Sequence, residues 1–331
     1  VKAVVLVGGE GTRLRPLTLS SPKQMLPIVE QPMIERVLGH LAAHGIDEAV
    51  LSLGYLPDAF MAAYPDGLAA GVRLSYAVEP EPLDTAGAVR FAADHAGVDD
   101  TFVVVNGDVL TDMDVTALIA FHRDRGAEGT IALHPVADPS AFGVVPTDGD
   151  GRVTAFVEKP PREEAPTNLI NAGTYVLEPS VLARVAQGRR VSIERETFPA
   201  MVRDGGLYAR PDDAYWLDTG TPAAYLQAHR DLLEGRRPSS PSPGARLEGE
   251  SLWIIGSPVV DGTVVGPSLL ADGARVADGA RVERSVLGAG AVVEAGSTVV
   301  DSVLLPGARI ASGSTVAGSI LGPRSTVGER C

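Results

Sequence analysis

Val4-Val5-Leu6-Val7-Gly8-Gly9-Glu10-Gly11-Thr12-Arg13-Leu14-Arg15-Pro16-Leu17-Thr18 decides how the rest of the chain is read. Val4 to Val7 is a continuous apolar run rich in β-branched side chains, the pattern of a strand buried on both faces. Gly8, Gly9 and Gly11 follow at once. Glycine has no Cβ, so the backbone N–H groups of such a turn can close on a bound anion. Arg13 adds a planar, permanently charged donor for phosphate oxygens. Two familiar phosphate motifs are not met. Leu14 stands where the dinucleotide fingerprint needs its last glycine, and no Gly-Lys-Ser/Thr occurs for a P-loop. The loop continues to Ser21-Pro22-Lys23-Gln24-Met25-Leu26-Pro27, where two prolines flank one lysine.

Outward from this stretch, strands and helices alternate. Ala49-Val50-Leu51, Val72 to Val78, Phe102-Val103-Val104-Val105 and Thr130 to Val136 read as strands. Ile34, Val37, Leu38 and Leu41 follow helical spacing, with Gly45 as the cap; Thr85 to His95 and Thr116 to Arg125 are further helices. The alternation predicts an α/β domain over 1-235 with a mainly parallel sheet. Ligands in such sheets collect at the carboxyl ends of the strands, where Gly8-Gly9 and Asn106-Gly107-Asp108 lie. A Pro/Ser-rich stretch, Pro238 to Gly244, marks a linker over 236-250. Beyond it, Val282-Glu283-Arg284-Ser285-Val286-Leu287 recurs at Val299 and again at Val316, a spacing of 17 residues each time. Six-residue steps inside each unit, with small residues at corners and Val or Ile inward, signal a parallel β-helix over 251-331. This tail resembles the left-handed hexapeptide-repeat helix.

Composition narrows the function. The chain has 331 residues, with 28 basic and 42 acidic side chains and a net charge of −14. An acidic balance disfavours affinity built on neutralising nucleic-acid phosphates. No apolar run approaches the ~18 residues that span a bilayer, and Val1 to Val7 is too short for a signal peptide. The one cysteine, Cys331, can form no internal disulfide. The expectation is a cytoplasmic protein with no membrane or nucleic-acid partner. Of the 28 basic residues only Lys2, Lys23 and Lys159 are lysines. A chain that otherwise uses arginine draws attention to them, since a compact ammonium and a planar guanidinium are not interchangeable at phosphate sites.

Together, the glycine run and the Pro-Lys loop resemble the sugar-1-phosphate nucleotidyltransferases. The resemblance runs on through Glu79-Pro80-Glu81-Pro82-Leu83-Asp84-Thr85-Ala86-Gly87, Asn106-Gly107-Asp108, Phe142-Gly143-Val144-Val145, Glu158-Lys159-Pro160, Asn171-Ala172-Gly173-Thr174-Tyr175 and Tyr215-Trp216-Leu217-Asp218-Thr219-Gly220. Ser192-Ile193-Glu194-Arg195-Glu196-Thr197-Phe198-Pro199, with the tail, is most similar to the mannose-1-phosphate guanylyltransferase branch. The resemblance implies a Rossmann-like nucleotidyltransferase domain before a left-handed β-helix. It implies nucleotide binding by Gly8, Gly9, Gly11, Thr12, Arg13, Lys23, Glu79, Thr85 and Gly87. The sugar phosphate would be held by Gly143, Glu158, Lys159 and Asn171. Catalysis would fall to Arg13, Lys23, Asp108 and Asp218, the two aspartates holding Mg2+. The substrates would be a nucleoside triphosphate and a sugar 1-phosphate, with a homo-oligomer formed through the tail.

The family usually has glycine where Asp84 stands, so this chain departs in its nucleobase loop. Glu79 replaces the glutamine of thymidine- and uridine-using members. A carboxylate only accepts hydrogen bonds, which suits the paired donors of guanine and favours GTP. Glucose-1-phosphate thymidylyl or uridylyl transfer, heptose-1-phosphate guanylyl transfer, and a non-catalytic nucleotide-sugar sensor stay open as alternatives. An acyltransferase is disfavoured, because all six histidines precede the repeats. The tail is accordingly expected to serve assembly or regulation.

Overall fold

The computed structural model describes residues 1–237 and 241–331. Pro238, Ser239 and Ser240, the start of the expected linker, lie outside the described residues. The chain forms two compact units, Val1–Glu10 with Ile34–Trp216, and Gly11–Met33 with Leu217–Cys331. In this division Gly11–Met33 groups with Leu217–Cys331.

The first unit is built on a ten-stranded sheet. Its centre is β1 (Ala3–Leu6), flanked in parallel by β2 (Glu48–Leu53) and β4 (Phe102–Asn106), with β3 (Val72–Val78) parallel to β2. Helix α1 (Met33–Ala43) precedes β2, and α2 (Asp84–His95) joins β3 to β4. Helical crossovers of this length are what allow parallel neighbours. The second half of the sheet departs from the mainly parallel expectation. Helix α3 (Val115–Arg125) leads into β5 (Gly129–Pro135), and then β6 (Gly143–Val144), β7 (Val157–Glu158) and β8 (Leu169–Leu177) follow with no α-helix between them. Without crossovers these strands return antiparallel: β8 to β4, β5 and β6, and β6 to β7. Only β9 (Leu207–Pro211) runs parallel to β5. Val4, Val104, Ile131, Tyr175 and Phe198 are buried in one continuous core.

The second unit contains α4 (Pro222–Leu233) and the repeat tail. The tail winds as three stacks of short strands, parallel from coil to coil, as expected of the left-handed β-helix. Val286 pairs with Val303 and Val303 with Ile320, reproducing the 17-residue register. Leu270, Val276, Val282, Leu287, Val293, Val299, Leu304 and Ile310 fill the interior. A buried hydroxyl ladder runs beside them. The N–H groups of Ser285, Ser302 and Ser319 each donate to the serine Oγ 17 residues earlier, at 3.1 Å. Each of those hydroxyls donates in turn to a carbonyl of its own coil, so none of these polar groups is left unmade in the core.

Candidate functional site

In the first unit, three strand ends converge. Gly8 follows β1, Gly54 follows β2 and Glu79 follows β3. A Cβ on Gly54 would stand 3.0 Å from the Gly8 carbonyl, and one on Gly8 would stand 3.4 Å from Glu79 Oε1. The glycines therefore let two chain turns and one carboxylate share one small region. Glu79 is fixed at both oxygens. Ser52 Oγ donates to Oε1 at 3.0 Å, and the Leu83 N–H donates to Oε2 at 3.0 Å. A carboxylate has about four lone-pair directions, so each oxygen can still accept from a base. Ser52 and Gly54 were not singled out by sequence; a lone serine and a lone glycine at a strand end carry no motif.

Asp84 has φ +61°, the left-handed backbone for which its family glycine would be suited. Its carboxylate accepts the Thr85 N–H at 2.9 Å and faces Arg190 at 3.7 Å. Thr85 and Gly87, expected at the nucleotide, also make contacts within the protein. Thr85 Oγ1 donates to Glu194 Oε2 at 2.7 Å and accepts the Ile193 N–H at 2.8 Å. The Gly87 N–H donates to the Val191 carbonyl at 3.2 Å, and a Cβ there would sit 2.6 Å from the Arg189 carbonyl. Both residues brace the loop against 189–194.

The expected sugar-phosphate residues gather on β6, β7 and β8. Gly143 pairs with Glu158, and a Cβ on Gly143 would meet the Phe156 ring at 2.7 Å and Glu158 Oε2 at 3.1 Å. Lys159 is exposed, at φ +48°, with its N–H donating to the Phe142 carbonyl at 3.0 Å and its ammonium 3.4 Å from Glu158 Oε1. Asn171 sits where β8 shifts register. Its Nδ2 donates to Tyr175 Oη at 2.9 Å and its Oδ1 accepts the Gly173 N–H at 3.0 Å. Burial, with Glu194 near, pushes the Tyr175 phenol up and keeps it neutral. Trp216 closes this side: its Nε1 donates to the Ala172 carbonyl at 2.9 Å, and Phe142 meets its ring edge-on at 5.5 Å. Asp108 is half-buried just past β4, where the Gly107 N–H donates to the Leu6 carbonyl at 2.9 Å. It does not cap α3. That cap is Asp114, whose Oδ1 accepts the Ala117 N–H at 2.8 Å.

In the second unit, Gly11 at φ +62° turns the chain into a short 3-10 segment carrying Thr12 and Arg13, both exposed. Thr18 Oγ1 closes the loop on the Gly11 carbonyl at 2.8 Å, and a Cβ on Gly11 would stand 3.1 Å from Lys23 Cβ. Lys23 opens its own 3-10 turn, its carbonyl accepting the Leu26 N–H at 3.1 Å. Asp218 Oδ1 accepts the Gly220 N–H at 2.8 Å. A Cβ on Gly220 would stand 2.6 Å from Arg13 Nη2 and 2.9 Å from Asp218 Oδ1. Gly220 thus makes room for a cation and an anion at one spot. Its only sequence signal was its place two residues after Asp218.

The nucleotidyl transferase family model matches residues 2–235. A mannose-1-phosphate guanylyltransferase of Mycobacterium tuberculosis is 46% identical over 80% of this chain and 73% of its own length. The chain belongs to the nucleotidyl transferase family. A second relative of this transferase, a mannose-1-phosphate guanyltransferase of Aspergillus fumigatus, is 44% identical over 68% of this chain. The match spans 62% of that fungal relative's length. Among solved structures, HddC from Yersinia pseudotuberculosis complexed with GMP-PN aligns at TM-score 0.60 and 29% identity, covering 70% of this transferase and 98% of HddC. Among the described residues of the transferase, no helix is long and apolar enough to cross a membrane.

Proposed function

We propose that this enzyme transfers the guanylyl group of GTP to mannose 1-phosphate, giving GDP-mannose and pyrophosphate. The 46% identity with the Mycobacterium tuberculosis mannose-1-phosphate guanylyltransferase carries the reading. A phosphate oxygen of the sugar phosphate attacks the α-phosphorus of GTP. The bond from that phosphorus to the bridging oxygen breaks, and pyrophosphate leaves with the electron pair. Such transfer depends on positioning and charge neutralisation more than on proton chemistry.

The assigned roles follow the chemistry of the side chains. Gly8, Gly9, Gly11 and Thr12 present the loop to the triphosphate. Arg13 and Lys23 neutralise its oxygens, and Glu79 accepts the N1–H and N2 amino donors of guanine. Glu158 and Asn171 orient sugar hydroxyls, Gly143 gives close backbone approach, and Lys159 meets the sugar phosphate. Asp108 and Asp218 are the carboxylates assigned to Mg2+. Their hard oxygen donors suit that ion, and Mg2+ commonly takes only one or two carboxylates, with phosphates and water as its other ligands. When bound, the cation offsets charge on the phosphates. We also assign the enzyme to the cytoplasm, as a homo-oligomer through the β-helix, with 1-235 as catalytic domain, 236-250 as linker and 251-331 as tail. Light scattering of the intact chain tests the assembly.

The test of the reaction is pyrophosphate release with GTP, UTP, dTTP, ATP and CTP, each against mannose, glucose and heptose 1-phosphates. The highest specificity constant is expected for GTP with mannose 1-phosphate. A higher value for another pair replaces the assignment, and no release from any pair removes it.

A further inference from the structure

The loop that carries Arg13 and Lys23 is tied down within its own unit by a turn with an unusual backbone. Pro27–Ile28 and Gln31–Pro32 form a two-stranded hairpin whose tip is Val29-Glu30. Both tip residues are left-handed, at φ +50° and +64°. That conformation is unfavourable for a residue with Cβ and worst for a β-branched one such as Val29, so surrounding contacts must hold it. They do so on two sides. From α4, His229 Nδ1 accepts the Val29 N–H at 3.2 Å, and Tyr225 donates its hydroxyl to the Pro27 carbonyl. From the β-helix, the Ala289 N–H donates to Glu30 Oε2 at 3.2 Å. A Cβ on Gly288 would lie 2.9 Å from Glu30 Oε1, so the corner is shaped to admit this carboxylate. Burial pushes the Glu30 carboxyl above its usual range, and the Ala289 N–H opposes that.

The repeat register sets the Ala289 N–H apart from the two coils that follow it. Leu287 pairs with Leu304 and Leu304 with Leu321, so Ala289 is equivalent to Pro306 and Pro323. Those two coils carry proline at this corner, which has no N–H to offer. The coil facing Glu30 keeps the donor. From Glu30 the constraint reaches the charged end of the loop through the hairpin, where the Met33 N–H donates to the Leu26 carbonyl and the Leu26 N–H to the Lys23 carbonyl.

We propose that Glu30 is a positioning residue: its bond to the Ala289 N–H fixes the triphosphate loop on the β-helix. The tail then serves chemistry as well as assembly. This rests on the guanylyltransferase reading, and the test separates the two. Parent turnover with GTP and mannose 1-phosphate is measured first, and its absence would remove the reading itself. With an active parent, Glu30→Ala, Ala289→Pro and their combination are then compared in the full chain. Each single variant should raise the KM for GTP about tenfold, worth ~1.4 kcal/mol, while the KM for mannose 1-phosphate stays within about twofold. The double variant should be no worse than either single one, because both remove the same bond. Glu30→Gln, which keeps an acceptor oxygen, should recover most of the affinity for GTP. Proline at 289 matches what the next two coils already hold, so the coil itself should fold. Unchanged KM for GTP in either single variant overturns the proposal. So do additive effects in the double variant, no rescue by Glu30→Gln, or equal losses for both substrates.

Discussion

Gly220→Ala is a change of one methyl group aimed at one spot. The new Cβ would stand 2.6 Å from Arg13 Nη2 and 2.9 Å from Asp218 Oδ1, both inside van der Waals contact. Arg13 is exposed and its guanidinium ends a flexible side chain, so it will give way before the backbone does. Gly220 is outside the left-handed region, so alanine brings no backbone penalty there. The cost should therefore fall on function. A charge-assisted hydrogen bond is worth about 1.5–3 kcal/mol. Displacing Arg13 from the triphosphate should accordingly lower kcat/KM for GTP by about 10- to 150-fold. The midpoint of thermal unfolding should move by no more than about 2 °C, which corresponds to ~1.4 kcal/mol for a chain of this size. Steady-state pyrophosphate release and a thermal melt on the same preparation read both quantities. Arg13→Ala serves as the reference, and Gly220→Ala added to it should cost little more. A Gly220→Ala enzyme within twofold of the parent would refute the reasoning, as would a loss fully additive with Arg13→Ala.

Asp108→Asn and Asp218→Asn should each reduce turnover by more than about a hundredfold, or ~2.7 kcal/mol, with the circular dichroism spectrum retained; near-parental rates at saturating Mg2+ would remove the metal role. Lys159→Met should raise the KM for mannose 1-phosphate about tenfold or more and leave that for GTP nearly unchanged, and a loss confined to GTP would move Lys159 to the nucleotide side. Glu79→Gln should narrow the preference for GTP over UTP and dTTP, since an unpaired polar group in the base pocket costs ~1–3 kcal/mol; the ratio of specificity constants is the measure, and an unmoved ratio counts against Glu79 as the base reader.

Local order was legible where a pattern repeats along the chain. The spacing of Ile34, Val37, Leu38 and Leu41 located the helix that spans Met33–Ala43, with Gly45 left-handed just beyond it at φ +76°. The 17-residue period located the coils from Val282 onward. The left-handed backbone at Asp84 was legible from the one residue that broke the loop's pattern. What was not legible depends on pairings far apart in sequence. An apolar strand such as β8 does not encode the direction of its neighbours, and the absence of helical crossovers decides it. The partners of Thr85 and Gly87 lie more than a hundred residues on, as Thr85 to Glu194 shows with a separation of 109. The bond from Val29 to His229 spans 200 residues and that from Ala289 to Glu30 spans 259, so reading the tail as an assembly or regulatory element did not locate its bond to the loop.

The hydroxyl ladder restricts how the tail can change length. Each rung links a serine N–H to a serine Oγ 17 residues before it, so the tail has a reading frame of 17. Removing a block of that length restores every rung. A deletion one residue shorter brings an apolar or charged neighbour under the ladder and strands buried donors, at ~1–3 kcal/mol each. An in-frame deletion still changes the corner opposite Glu30. Losing 271–287 or 289–305 alike moves Pro306 to the second corner of the tail, where Ala289 stood. Either length variant should therefore fold and yet bind nucleotide more weakly.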